Sequence, residues 1–285
     1  AGNTFYGYES GTSVTSASGV TAVGQGAMFS QTTGGYSTGI GYKAGLANTA
    51  NWTVAVGAEC LQANTSGTKN TAVGGMAARS NTTGTNNVAL GYEALKGNTT
   101  ASNNTAVGKD SLKALTTAHY NTSVGSGAGT ALTTGWENTL VGYAALDYAT
   151  TAEKNCAFGV HAGGSVETAS GGVYIGHESA TGLTTGSYNT IVGTGCGHDI
   201  TTGTYNTLLG YKAGSEGNTN KLTTGSNNLL LGHDAAPSSV SVSNEITLGD
   251  TNITKFRIPG INFTVKDTTA TEDYVLTVDA NGEAG

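Results

Sequence analysis

The 285-residue chain carries 45 glycines, two prolines, only 11% charged residues and a net charge of −7. Helix formers are scarce while Thr, Asn, Ser and Gly abound, which excludes an ordinary mixed helical domain; Val, Leu, Ile and Ala nevertheless recur too regularly for a disordered linker. The dispersed Lys and Arg exclude a polyanion-binding surface, and no apolar run approaches the roughly 18 residues of a membrane span, so neither nucleic acid nor membrane insertion is expected.

The chain opens at Ala1-Gly2-Asn3-Thr4 already inside a repeat, which reads as a window cut from a longer protein. From there an apolar-Gly pair marks time along the sequence, at Gly7, Gly24, Gly41, Gly57, Gly74, Gly91, Gly108, Gly125, Gly142, Gly159, Gly176, Gly193, Gly210, Gly232 and Gly249. Successive markers are 17 residues apart, except 16 between Gly41 and Gly57 and 22 between Gly210 and Gly232. About fifteen copies of one unit are therefore present.

Each unit reads approximately Asn-Thr-Ala-Val-Gly-x-x-Ala and, later, Thr-Thr-Gly, as in Asn70-Thr71-Ala72-Val73-Gly74 followed by Thr82-Thr83-Gly84. The large apolar residue just before the marker (Val23, Val56, Val73, Leu90, Val107) is expected to point inward as a stacked row. The small residue three after it (Ala27, Ala44, Ala77, Ala94) is expected to complete a narrow core. The marker itself suits a corner, where a positive φ or close backbone approach excludes a Cβ. A second small residue seven before each marker, preceded by the Thr pair, suits another turn, and the Asn four before the marker suits a stacked amide ladder.

This pattern predicts an all-β chain whose residues 1–250 form a repetitive parallel β-solenoid, or β-roll, of about fifteen 17-residue coils. At about 4.8 Å per coil the rod is roughly 70 Å long. With two or three inward apolar side chains per coil, a lone chain covers its apolar row poorly, so a homotrimeric fibre is expected. From Asn244 the pattern changes. Glu245-Ile246-Thr247-Leu248-Gly249-Asp250 is the last coil, and residues 251–285 read as a β transition or capping segment leading to a missing or cleaved C-terminal domain. Within it, a strand from Tyr274 enters an Asn281-Gly282 hairpin turn.

The Asn-Thr-Ala-Val-Gly and Thr-Thr-Gly units resemble the repetitive shafts of bacteriophage tail fibres. They are more distantly similar to the left-handed trimeric β-roll heads of Yersinia-type trimeric autotransporter adhesins, whose units carry a comparable apolar-Gly corner. The resemblance covers about residues 1–250. It implies a trimeric virion fibre, assembled in the host cytoplasm, that contacts neighbouring fibre or tail proteins and a host-surface receptor such as a polysaccharide. The bacterial cell surface is the alternative location.

Chemistry-bearing residues fall into the repeat columns. Cys60 and Cys196 occupy the usual Ala column, eight units and roughly 40 Å apart, and read as buried filler that cannot bridge within a chain. Cys156 replaces a Thr three before its marker. No two of the five histidines stand at metal-ligand spacing, so neither metal nor cofactor is expected. Glu93 and Asp110, neighbours in the column two after the marker, have the residue types of a glycosidase pair, but a repeat column of mixed charge reads as a solvated face, and no catalytic residue is assigned. The surface feature that stands out is aromatic. Tyr42, Tyr92, Tyr143 and Tyr211 follow the marker, and Tyr36, Trp52, Tyr120, Tyr188 and Tyr205 precede it by five, giving rows able to stack on sugar rings or to pack between coils or chains. A structural or adhesive fibre is expected rather than an enzyme, with ice binding through the threonine ladder as a third reading.

Overall fold

A computed structural model describes residues 2–215, 220–255 and 257. The chain divides into two units, Ala1–Asp250 and Thr251–Gly285, and the first carries all described strands. They are fifteen three-residue strands, from β1 (Thr4–Tyr6) and β2 (Thr21–Val23) to β14 (Leu229–Leu231) and β15 (Ile246–Leu248). All lie in one sheet in strict sequence order, each parallel to the next, with the repeat setting the register: Thr4 pairs with Thr21 and Thr71 with Val88. The β-solenoid is thus one coil per repeat, and even the longer coil before Gly232 returns to register, Thr207 pairing with Leu229. The strand and hairpin expected over Tyr274–Gly282 lie outside the described residues.

The marker glycines are the corners expected of them. Gly125 has φ +147°, and a Cβ built on it would lie 2.1 Å from the carbonyl oxygen of Gly142 in the next coil. Both the left-handed backbone and the inter-coil approach therefore demand glycine. The coil also turns at non-glycine residues held at positive φ, among them Tyr36, Trp52, Glu93 and Leu95. Each such residue costs on the order of 1 kcal/mol. Amide bonds to the adjacent coil offset that cost, as in Tyr36 N–H to the Ser18 carbonyl at 2.9 Å.

One expectation is overturned. The row just before the marker does not point inward: Leu90, Leu209, Leu231 and Leu248 are exposed, as are Ile40 and Ile175, and Val73 and Val107 are half-buried. The inward row is the middle residue of each strand, as in Ala22, Ala55, Ala72, Ala106, Leu140, Ile191 and Leu208. Side chains alternate across a strand, so a three-residue strand can bury its centre or its two ends but not both. The interior takes this central residue, which is alanine in six of the fifteen strands and leucine, isoleucine or tyrosine in several of the later ones.

The remaining columns are inward as expected. The small residue three after the marker is buried (Ala27, Ala44, Ala77, Ala94), as is the residue seven before it (Ala101, Ala118, Ala152). The Asn column forms an amide ladder from Asn70 to Asn155, which stops at Gly172 and resumes from Asn189 to Asn228. In one rung Asn104 donates its backbone N–H to Asn87 Oδ1 at 3.0 Å and its Nδ2 both to that oxygen at 3.3 Å and to the Ala118 carbonyl at 2.9 Å. These amides are fully buried and satisfied, which makes the ladder stabilising rather than costly. On the turn opposite, the first Thr of each pair donates to the next coil, as Thr82 Oγ1 does to the Thr99 carbonyl at 2.9 Å.

Candidate interaction surface

The strand face that turns outward is the most distinctive surface of the molecule. Its two rows are the residues three and one before each marker, which read Thr71 and Val73, Val88 and Leu90, Thr105 and Val107, and so on for fifteen levels. None of these thirty positions carries a charge. Leu90, Phe158 and Leu209 are exposed at 46%, 57% and 46%. A stripe of this length and chemistry is far more than the scattered apolar residues of an ordinary surface.

The aromatic residues singled out from the sequence border this stripe. Tyr36, Trp52, Tyr120, Tyr188 and Tyr205 precede the strands and Tyr42, Tyr92, Tyr143 and Tyr211 follow them; all nine are exposed. Inter-coil packing is real but partial. Tyr188 and Tyr205 stack at 5.3 Å and 9°, Tyr211 stacks on His233 at 5.4 Å, and Tyr143 meets His161 edge-on. Lysines sit over others, Lys69 over Trp52 at 5.7 Å and Lys154 over Trp136 at 4.5 Å. Beside the sheet a shallow groove is lined by Tyr205, Thr207, Leu229 and Ile246, so one aromatic row and an outward strand row share a surface. Trp136 and the outward strand rows themselves escaped the sequence reading. The signal available was the alanine between two β-branched residues in coils such as Thr71-Ala72-Val73, which marks the strand centre there as the side with little room.

Charge gathers elsewhere on the coil. Glu93 is a covered carboxylate, held at 2.6 Å by both Lys96 and Lys113, while Lys113 reaches Asp110 at 3.2 Å. Hydrogen bonds from Lys113 and Lys96 bring the Glu93 carboxyl down to about 2. A carboxylate pinned in its ionised form has no proton to give a leaving group, so the arrangement favours the structural role of this column. Arg79 and Glu59 pair similarly at 3.2 Å.

Cys60 and Cys196 are fully buried, their thiols pushed up to about 12 by burial, as fits filler. Cys156 is half-buried on the outward strand face and in no disulfide. His177 and His233 are surface residues, each beside an acid of its own coil, Glu178 and Asp234. Among the described residues no group of three His, Cys, Asp or Glu is placed to hold a metal ion. No described helix is long and apolar enough to cross a membrane. No family model matches the chain, and no curated protein sequence matches it significantly.

Proposed function

We propose that the chain is a structural and adhesive fibre segment, a stiff shaft for host attachment in a viral tail fibre, built from three copies. The observation that carries this reading is the unbroken uncharged face on a rod whose coils are otherwise closed by their own hydrogen bonds. Water-exposed apolar surface on this scale is stabilised by cover, and a long parallel rod offers copies of itself the same periodic surface at every level. The aromatic borders add many individually weak contacts able to stack on saccharide rings, which sum by avidity along a multivalent fibre. The repeat resemblance supports the viral fibre, with a bacterial surface adhesin of similar build as the rival.

A second reading has its own observation. The second Thr of each pair forms an exposed row at the coil spacing (Thr83, Thr100, Thr117, Thr134), the kind of ladder an ice lattice could meet. Thermal hysteresis in the purified protein would support that reading.

The fibre reading is tested by light scattering combined with SDS gels run without boiling. The expected result is a species of three times the 28.4 kDa chain that resists SDS. A folded species of 28.4 kDa contradicts it.

A further inference from the structure

We infer that copies of this chain pack through the outward strand face, parallel and in register around a common axis, so that Cys156 of one copy meets Cys156 of the next. The inference rests on the fibre reading and specifies which surface and which arrangement it uses. Three lines on the molecule converge on it.

The first is size. Fifteen levels at about 4.8 Å, across strands about 10 Å wide, give roughly 700 Å² per copy, and the bordering rows raise this to about 1,000 Å². A stable interface needs about 800 Å² per partner. The second is chemistry. In an in-register assembly every residue on the axis faces its own copies, so one charge on the face would confront its like. The two outward rows avoid charge at all fifteen levels, while Glu59, Arg79, Glu93, Lys96 and Lys113 lie on other columns of the coil. The interface thus has an apolar centre and a mixed rim.

The third is the match between the two borders. At most levels, where the residue five before a marker is large, the residue just after that marker is small, or the reverse. Trp52 goes with Ala58, Lys69 with Gly75, and Tyr120 with Ser126, whereas Gly171 goes with His177 and Asn86 with Tyr92. The pairs Tyr36 with Tyr42, Glu137 with Tyr143, Lys154 with Val160 and Tyr205 with Tyr211 depart from the match, with neither border small. Within one chain the strand separates these positions, so they do not need to fit one another. Around an axis along the rod, the trailing border of one copy meets the leading border of the next at the same height, where the match serves. A two-fold axis across the rod would set each border against itself reversed, and the matching would be lost.

Cys156 makes the arrangement measurable, because it lies in the outward row while Cys60 and Cys196 are wholly inside the coil. Diamide takes up the two electrons and two protons released as two thiols become one disulfide. In the native protein it is expected to join two copies, giving a band of twice the 28.4 kDa chain on non-reducing denaturing gels, with the third copy left single. The C156S variant should lose the band. In that background T105C, in the same outward row, should restore it, and T100C, on the exposed threonine turn, should not. An assembly of trimeric mass in which neither Cys156 nor T105C cross-links, or in which T100C cross-links equally, overturns the proposed face and register. A monomeric mass for the native protein overturns the fibre reading beneath it.

Discussion

The two halves of the solenoid solve the same packing problem with different chemistry. In the column ten before the marker, nine in the short coil that ends at Gly57, the early coils bury Gln31, Asn48, Asn64, Asn81 and Asn98, whereas the later coils bury Leu115, Leu132, Val166, Leu183, Ile200 and Leu222. The early amides form a second ladder: Asn81 Nδ2 donates to Asn64 Oδ1 at 2.8 Å and to the Gly84 carbonyl at 3.0 Å, and Asn98 Nδ2 donates to Asn81 Oδ1 at 2.8 Å. The strand centres change in step, from Ala55, Ala72 and Ala89 to Leu140, Tyr174, Ile191 and Leu208. Volume is then balanced locally. A Cβ on Gly129 would collide with Leu140 at 2.8 Å, and one on Gly163 with both Leu146 and Tyr174. One backbone coil accepts either a hydrogen-bonded or an oily interior, provided that each column is consistent with its neighbours.

The largest expected effect lies in what the halves share. Gly125→Ala places a methyl on the Gly142 carbonyl at an unfavourable φ, and should cost upwards of about 3 kcal/mol in denaturant unfolding. An equivalent change at Gly74 should cost as much; a cost confined to one half would show that the corner is not common to both.

Leu208→Ala should cost about 2–5 kcal/mol through the cavity it leaves in the later core. Asn81→Leu in the early core strands Asn64 Oδ1 and takes one of its two acceptors from Asn98 Nδ2, while the Gly84 carbonyl keeps Asn70, at about 1–3 kcal/mol. If leucine were tolerated there, the amide ladder would be incidental to the early half.

The halves also differ in their response to acid. The Glu93 carboxyl is held below its ordinary value by its two lysines, so its contribution is present above pH about 4.5 and is lost as pH falls towards about 2. Asp147, in a later coil, is shifted upward by burial, so protonation favours its folded form and that region gains as pH falls through the raised value. Urea midpoints measured against pH should show a smaller acid-side fall in E93Q, and D147N should raise the midpoint at neutral pH. The smallest effect is expected at Tyr174, whose buried hydroxyl has no partner: Y174F should stabilise by about 1 kcal/mol in the same assay.

The sequence shows the period, the corner glycines, the amide column and the parallel solenoid, because every coil repeats the same local demand. What it concealed was polarity across the strand. In the early coils Thr-Ala-Val gives an apolar residue to each face, and the larger Val suggests an inward position, yet the interior takes the strand centre, Ala there and Leu, Tyr or Ile in several later coils. Read from the sequence alone, the outward row is mistaken for core, and the proposed self-association then rests on a poor core rather than on the exposed row itself. The second amide ladder was also hidden, since Asn64 and Asn81 stand beside the Thr pairs and look like ordinary turn residues. The nine aromatic positions were legible as exposed rows, while their place along the borders of one face required the strand orientation.

The measurement that bears most directly on the account is the solution mass of a V107E/V124E double variant beside that of the native chain. Both side chains lie on the outward row, so the coil interior is untouched. The account predicts a native mass near three times 28.4 kDa and a variant that keeps its β circular dichroism at 28.4 kDa. A variant that stays at the native mass, or a native chain that is already a single folded copy, would contradict it.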